Sequence, residues 1–141
     1  MKKKKDETEA LMQEGVAQTL ELAKENDVTL DFSDKSIEAV EELLGECHRE
    51  FKKTKDEQGF HGLAMMFAAY IGEVIRKKGL GGTWSRNHPD FGEDSFPFHW
   101  RDQDLFLYGW CAKRIFDGPA DNVVFKYKAM VLDKVADAKN K

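Results

Sequence analysis

Seven apolar residues between positions 63 and 75 constrain this chain more than any other feature. Leu63, Met66, Phe67, Tyr70, Ile71, Val74 and Ile75 fall at offsets 0, 3, 4, 7, 8, 11 and 12. That is the stripe of a core-facing α-helix. Ala64, Ala68, Ala69 and Gly72 keep its other sides small and permit close packing. Arg76, Lys77 and Lys78 place cations at the negative helix end before Gly79 leaves it. A helix this apolar must be covered on most sides, so the rest of the chain is expected to wrap it.

The neighbouring segments supply the cover. Residues 6–26 read as a helix with a thin seam of Met12, Val16, Leu20 and Ala23, weakened by Gly15. Such a helix over 1–27 either packs loosely on a compact core of 28–137 or serves as an arm for a partner. Val28, Leu30 and Phe32 alternate with Thr29 and Asp31, the period of a short half-buried strand. Ser33 and Asp34 offer caps for a second helix carrying Ile37, Val40, Leu44, Cys47 and Phe51 on one face. After Gly81-Gly82, residues 83–86 and 96–101 read as two strands around a polar loop, 87–95. Pro97 has no N–H to give a ladder, which makes the second of them an edge strand. Asp102 or Asp104 caps a fourth helix running to about Asp117. A fifth begins at Asp121 with Val124, Tyr127, Val131 and Val135 inward, and 137–141 fray. The expected fold is one α+β domain spanning 1–141, about five helices packed with a small antiparallel β-hairpin or sheet.

Four stretches resemble a group of small bacterial domains of unknown function: Leu30-Asp31-Phe32-Ser33, Tyr70-Ile71-Gly72-Glu73-Val74-Ile75-Arg76, Gly81-Gly82-Thr83-Trp84 and Arg114-Ile115-Phe116-Asp117-Gly118. The resemblance covers about residues 28–130. It implies a bacterial origin and one compact domain. It brings no activity to any residue.

Charge and composition narrow the function classes. The 141 residues carry a formal charge of −4, with 10 basic and 16 acidic side chains in residues 1–60 and 12 and 10 in the remainder. Neither half is basic enough for a nucleic-acid binder, and no apolar run reaches the roughly 18 residues of a membrane span. Lysines 2–5 are followed by acidic residues instead of an apolar stretch, so no export signal is read and a cytoplasmic location is expected. Cys47 and Cys111 are too few for a disulfide framework and read as buried, unreactive thiols.

No catalytic motif is visible. His48, His61, His88 and His99 show no metal-ligand spacing. The loop 88–94 gathers one imidazole and three carboxylates without the spacing of a calcium loop, so neither a metal nor a cofactor is expected. Glu73 lies at the edge of the buried stripe and calls for a partner, Arg76, Arg86 or Arg114. Nine of the chain's sixteen aromatics lie between 84 and 116. Trp84, Trp100, Phe106, Trp110 and Arg114 are therefore the expected contact residues of a non-enzymatic protein-binding module, accessory, regulatory or immunity-type, engaging a protein partner or a second copy of itself. The alternative is a small-ligand binder or hydrolase with a pocket between the third helix and the hairpin, using Glu73, His88 or His99.

Overall fold

The stripe at 63–75 does organise the molecule. A computed structural model describes residues 2–139, with side chains for 7–138. Helix α3 (Phe60–Lys77) buries Ala64, Met66–Ile71, Val74 and Ile75. Around it lie α1 (Lys2–Glu25) and α2 (Ser36–Thr54). The strands are β1 (Thr83–Trp84), β2 (Phe98–Trp100) and β3 (Gln103–Leu105), and α4 (Leu107–Phe116) follows them. A short 3₁₀ turn at Pro119–Asp121 leads into α5 (Val123–Tyr127). That helix runs on through a π-helical turn, Lys128–Leu132, into α6 (Asp133–Lys139). The fold is a helix-dominated α+β arrangement with one small antiparallel sheet. No helix among the described residues is long and apolar enough to cross a membrane. The frayed end expected at 137–141 is helical to Lys139, and 140–141 lie outside the described residues, as does Met1.

The seam of α1 is thin but fully used. Met12 and Ala23 are 1% exposed and Val16 is 8%; Met12 and Val16 join the core cluster around α3. Gly15 is what lets the two helices meet: a β-carbon there would lie 3.0 Å from Ala69 Cβ. The Thr19 hydroxyl donates to the Met66 carbonyl at 2.7 Å. Glu9 receives Arg76 Nη2 at 2.8 Å and the Trp84 amide at 3.2 Å, so α1 is tied to the end of α3 and to β1. It is neither loosely packed nor a free arm.

Two strand expectations change. Residues 28–32 form no strand. Phe32 adopts φ +64°, and its amide donates to the Tyr70 hydroxyl at 2.9 Å while its ring stacks on Tyr70 at 5.0 Å. Alternation over five residues is satisfied here by a loop laid on α3. The sheet, in turn, has three strands in the order β1-β2-β3. Thr83 and Trp84 pair with His99 and Phe98; Phe98, His99 and Trp100 pair with Leu105, Asp104 and Gln103. β2 is thus central, not an edge. Pro97 stands just before the ladder and contributes a carbonyl, which accepts from the Ser85 amide at 3.1 Å, so its missing N–H does no harm. Asp102–Asp104 form a turn and strand, and the fourth helix starts later, at Leu107.

The inner face of this sheet carries Trp84, Phe98, Trp100 and Leu105, each 2% exposed or less. Glycines make room for them. At Gly72 an added β-carbon would sit 2.7 Å from Trp84 Cζ2, and at Gly82, with φ +124°, it would overlap Phe98 at 2.1 Å. The outer face carries Thr83, Ser85, His99 and Asp104, as the period of two requires.

Candidate functional site

The aromatic surface expected from sequence is mostly interior. Trp84 and Trp100 belong to the core and cannot meet a partner. Arg114 is buried too. Its Nε donates to Glu41 Oε2 at 2.6 Å, and the other oxygen of Glu41 accepts the Val123 amide at 3.0 Å. This pair locks α4 to α2 and to the start of α5. Phe106 and Trp110 are half-buried. The density of aromatics between 84 and 116 reflects a sheet packed against α3, for which period-two alternation was the available signal. Among the described residues the large apolar side chains that reach solvent are Leu11, 41% exposed, Phe91, 67%, and Phe125, 75%. Phe91 leans on His88 at 5.0 Å and on Phe106 at 4.7 Å.

The alternative pocket does not form around Glu73. Its carboxylate accepts a long 3.4 Å bond from Gln13 at the surface. The three candidate arginines are taken elsewhere, Arg76 by Glu9, Arg86 by Asp94 and Arg114 by Glu41. His88 and His99 do come together, on the outer face of the sheet and away from α3. Asp104 joins them: His99 Nδ1 bonds to Asp104 Oδ1, and His88 Nε2 lies 3.1 Å from Oδ2. Ser85 Oγ lies 2.5 Å from His99 Nε2. Sequence reasoning missed Ser85 and Asp104 because the third strand, which sets Asp104 opposite His99, reads as a helix cap.

The other histidines have structural partners. His48 Nδ1 lies 2.7 Å from the Ile115 carbonyl, and its ring sits over Gly118. His61 bridges Tyr108 and Glu57. Cys111 is fully buried and Cys47 half-buried. Burial pushes the Cys47 thiol up to about 11, helped by the charge of Glu46, and raises Cys111 as well. Neither is a ready nucleophile. Among the described residues no group of three or more His, Cys, Asp or Glu is arranged to hold a metal ion.

A second candidate site lies along the exposed face of α2. Glu38, Glu42 and Glu46 recur every four residues there, all exposed. A groove of about 670 Å³ runs between this face and α5, lined by Glu38, Glu41, Glu42, Pro119, Ala120, Asn122, Val124, Phe125 and Lys128. A smaller one of about 400 Å³ continues past Ile37, Val124, Leu132 and Asp133. Lys128 and Leu132 bound the π-helical turn, a departure from the α-helical ladder that is frequent at functional sites. Among the described residues the side-chain carboxylates of Glu38 and Glu42 have no hydrogen-bond or ion-pair partner. The groove lysine Lys128 is paired with Asp133 and its neighbour Lys126 with Asp121; the Lys35 side chain, at the far end, has no ion-pair partner among the described residues. The uncompensated charge is therefore mainly negative.

No protein-family model matches the chain, and no curated protein or solved structure is significantly similar to it.

Proposed function

We propose that this protein is a protein-binding module of the accessory, regulatory or immunity type, and that the α2–α5 groove receives a basic segment of a partner protein. One observation carries the reading: two unpaired carboxylates, Glu38 and Glu42, border an apolar groove at whose rim Phe125 is 75% exposed. A large exposed aromatic beside charge of one sign is the composition of an anchor with an electrostatic guide. The acidic excess of residues 1–60 points the same way. The aromatic segment 84–116 contributes the scaffold in this reading, with Phe106 and Trp110 secondary to Phe125.

The test compares three forms of the full chain as baits in the native host extract and then in titrations against the captured partner. Phe125→Ala should weaken binding by about 30-fold, the scale of an anchor residue. Glu38→Lys with Glu42→Lys should slow association and make it less sensitive to salt. A partner held equally well by all three forms would place the contact elsewhere and end this proposal.

A further inference from the structure

Beyond partner binding, we propose that Ser85 is an activated nucleophile able to take an acyl group from small esters, with His99 as its general base. The proton positions follow from the bonds. His88 Nδ1 accepts the backbone N–H groups of Asp90 at 3.0 Å and Phe91 at 3.3 Å, so the ring proton sits on Nε2 and is donated to Asp104 Oδ2. A carboxylate only accepts, so His99 presents its proton to Oδ1 from Nδ1. That leaves His99 Nε2 as an acceptor, and the hydroxyl 2.5 Å away is Ser85. Nucleophile, base and orienting acid thus stand in the relation that serine acyl transfer requires.

The sheet register builds this relay and leaves it reachable. His99 and Asp104 are cross-strand partners, and Ser85 follows β1, which pairs with β2 on the other side. The His99 side chain is 40% exposed and Asp104 27%, so solvent and a small substrate reach the Ser85–His99 bond. His88, 14% exposed, holds the second carboxylate oxygen and leads to the apolar ledge of Phe91 and Phe106. An ester with a short alkyl or aryl group suits a site bordered in this way. In the acylation step Ser85 Oγ bonds the carbonyl carbon as its proton moves to His99 Nε2. The bond to the leaving alkoxide breaks, and that oxygen takes the proton as the alcohol departs. Water, deprotonated by the same imidazole, then attacks the acyl carbon; the acyl–serine bond breaks, Ser85 Oγ takes the proton back from His99 Nε2, and the carboxylic acid is released. Ser85 and His99 are the groups that meet the reacting atoms; Asp104 and His88 are positioning residues.

The experiment uses the full chain, an alkyl fluorophosphonate and p-nitrophenyl acetate. The phosphonate forms an Oγ–P bond with loss of fluoride, and peptide mass spectrometry locates it. Ser85 should carry the label, and Ser85→Ala should abolish it. His99→Ala should slow labelling by about 10²–10⁴, and added imidazole should restore part of the rate, a rescue that a bracing role would not give. Asp104→Asn should slow labelling while far-UV circular dichroism is unchanged. His99→Gln serves if the alanine variant does not fold. An unlabelled Ser85 in the folded wild-type chain overturns the proposal, as does labelling at the same rate without His99.

Discussion

Arg114 shows how burial decides what a residue can do. Its side chain is 8% exposed and that of Glu41 13%, and its Nη1 is enclosed without a hydrogen-bond partner. The guanidinium depends on one carboxylate. Glu41→Gln would leave a buried cation uncompensated, a loss that typically costs about 3–5 kcal/mol. The expected result is a urea midpoint lowered accordingly. The double change Glu41→Met with Arg114→Met should recover part of it, since an apolar pair of similar volume needs no charge compensation, while the Val123 amide loses its acceptor. If Glu41→Gln unfolds at the wild-type midpoint, the pair is not what fastens α4 to α2. The same reasoning separates this arginine from the binding residues: a charge already committed inside the fold has nothing left for a partner.

At the scale of elements, legibility in the sequence followed the range of the interactions. α3 and the inward face of β2 were readable because their periods, 3.6 and 2, are written in consecutive residues. The stretch 28–32 carried the same alternation yet became a loop, because what holds it is the Tyr70 hydroxyl, 38 positions from Phe32. β3 was hidden because Asp104 resembles a helix cap until His99 and His88 claim its two oxygens. The groove was invisible for a like reason, its walls coming from 38–42 and 119–132. One junction of elements gives a pH test. Asp34, ahead of α2, receives Lys78 from the end of α3 at 2.6 Å and the Tyr127 hydroxyl of α5 at 2.5 Å. Burial works to raise the Asp34 carboxyl, but the bonds from Lys78 and Tyr127 outweigh it and hold the group below its usual range. Its stabilising contribution is therefore present above about pH 4, the unfolded value, and lost as pH falls further. Burial first, and then the bond and charge of Asp34, push Tyr127 upward. That contribution is present below about pH 10, the unfolded value, and lost as pH rises beyond it. Melting temperatures measured from pH 2 to 11 should show Asp34→Asn flattening the acid limb and Tyr127→Phe flattening the alkaline limb. Tyr70, Tyr108, Cys47 and Cys111, also raised by burial, leave some alkaline slope in the second variant. Unchanged limbs in both would remove this junction as a source of pH dependence.

For the whole molecule, the consequence of a single apolar cluster is cooperative unfolding. Met12 and Val16 of α1, the α3 stripe, the inner sheet face and Val131 within the π-helical turn all belong to that cluster. No boundary in it matches the division at residue 27 suggested by the weak seam of α1. Two optical signals report on different parts of this core. Trp84 and Trp100 lie on the sheet and Trp110 on α4, so tryptophan fluorescence follows the sheet side. Far-UV circular dichroism follows the helices, of which α1, with 24 residues, is the longest. Were α1 an arm, its helical signal would fade at low denaturant while the tryptophans stayed buried, because an isolated helix of that amphipathicity is marginal in water. Since Glu9 bonds to both Arg76 and the Trp84 amide, releasing α1 uncovers α3 and β1 together. Urea transitions followed by the two probes should therefore coincide in midpoint and slope, as a two-state domain requires. Glu9→Ala should shift both to lower urea by the same amount. A dichroism transition that precedes the fluorescence change would mean α1 detaches first, and the helix would have to be treated as a separate, partner-ready element.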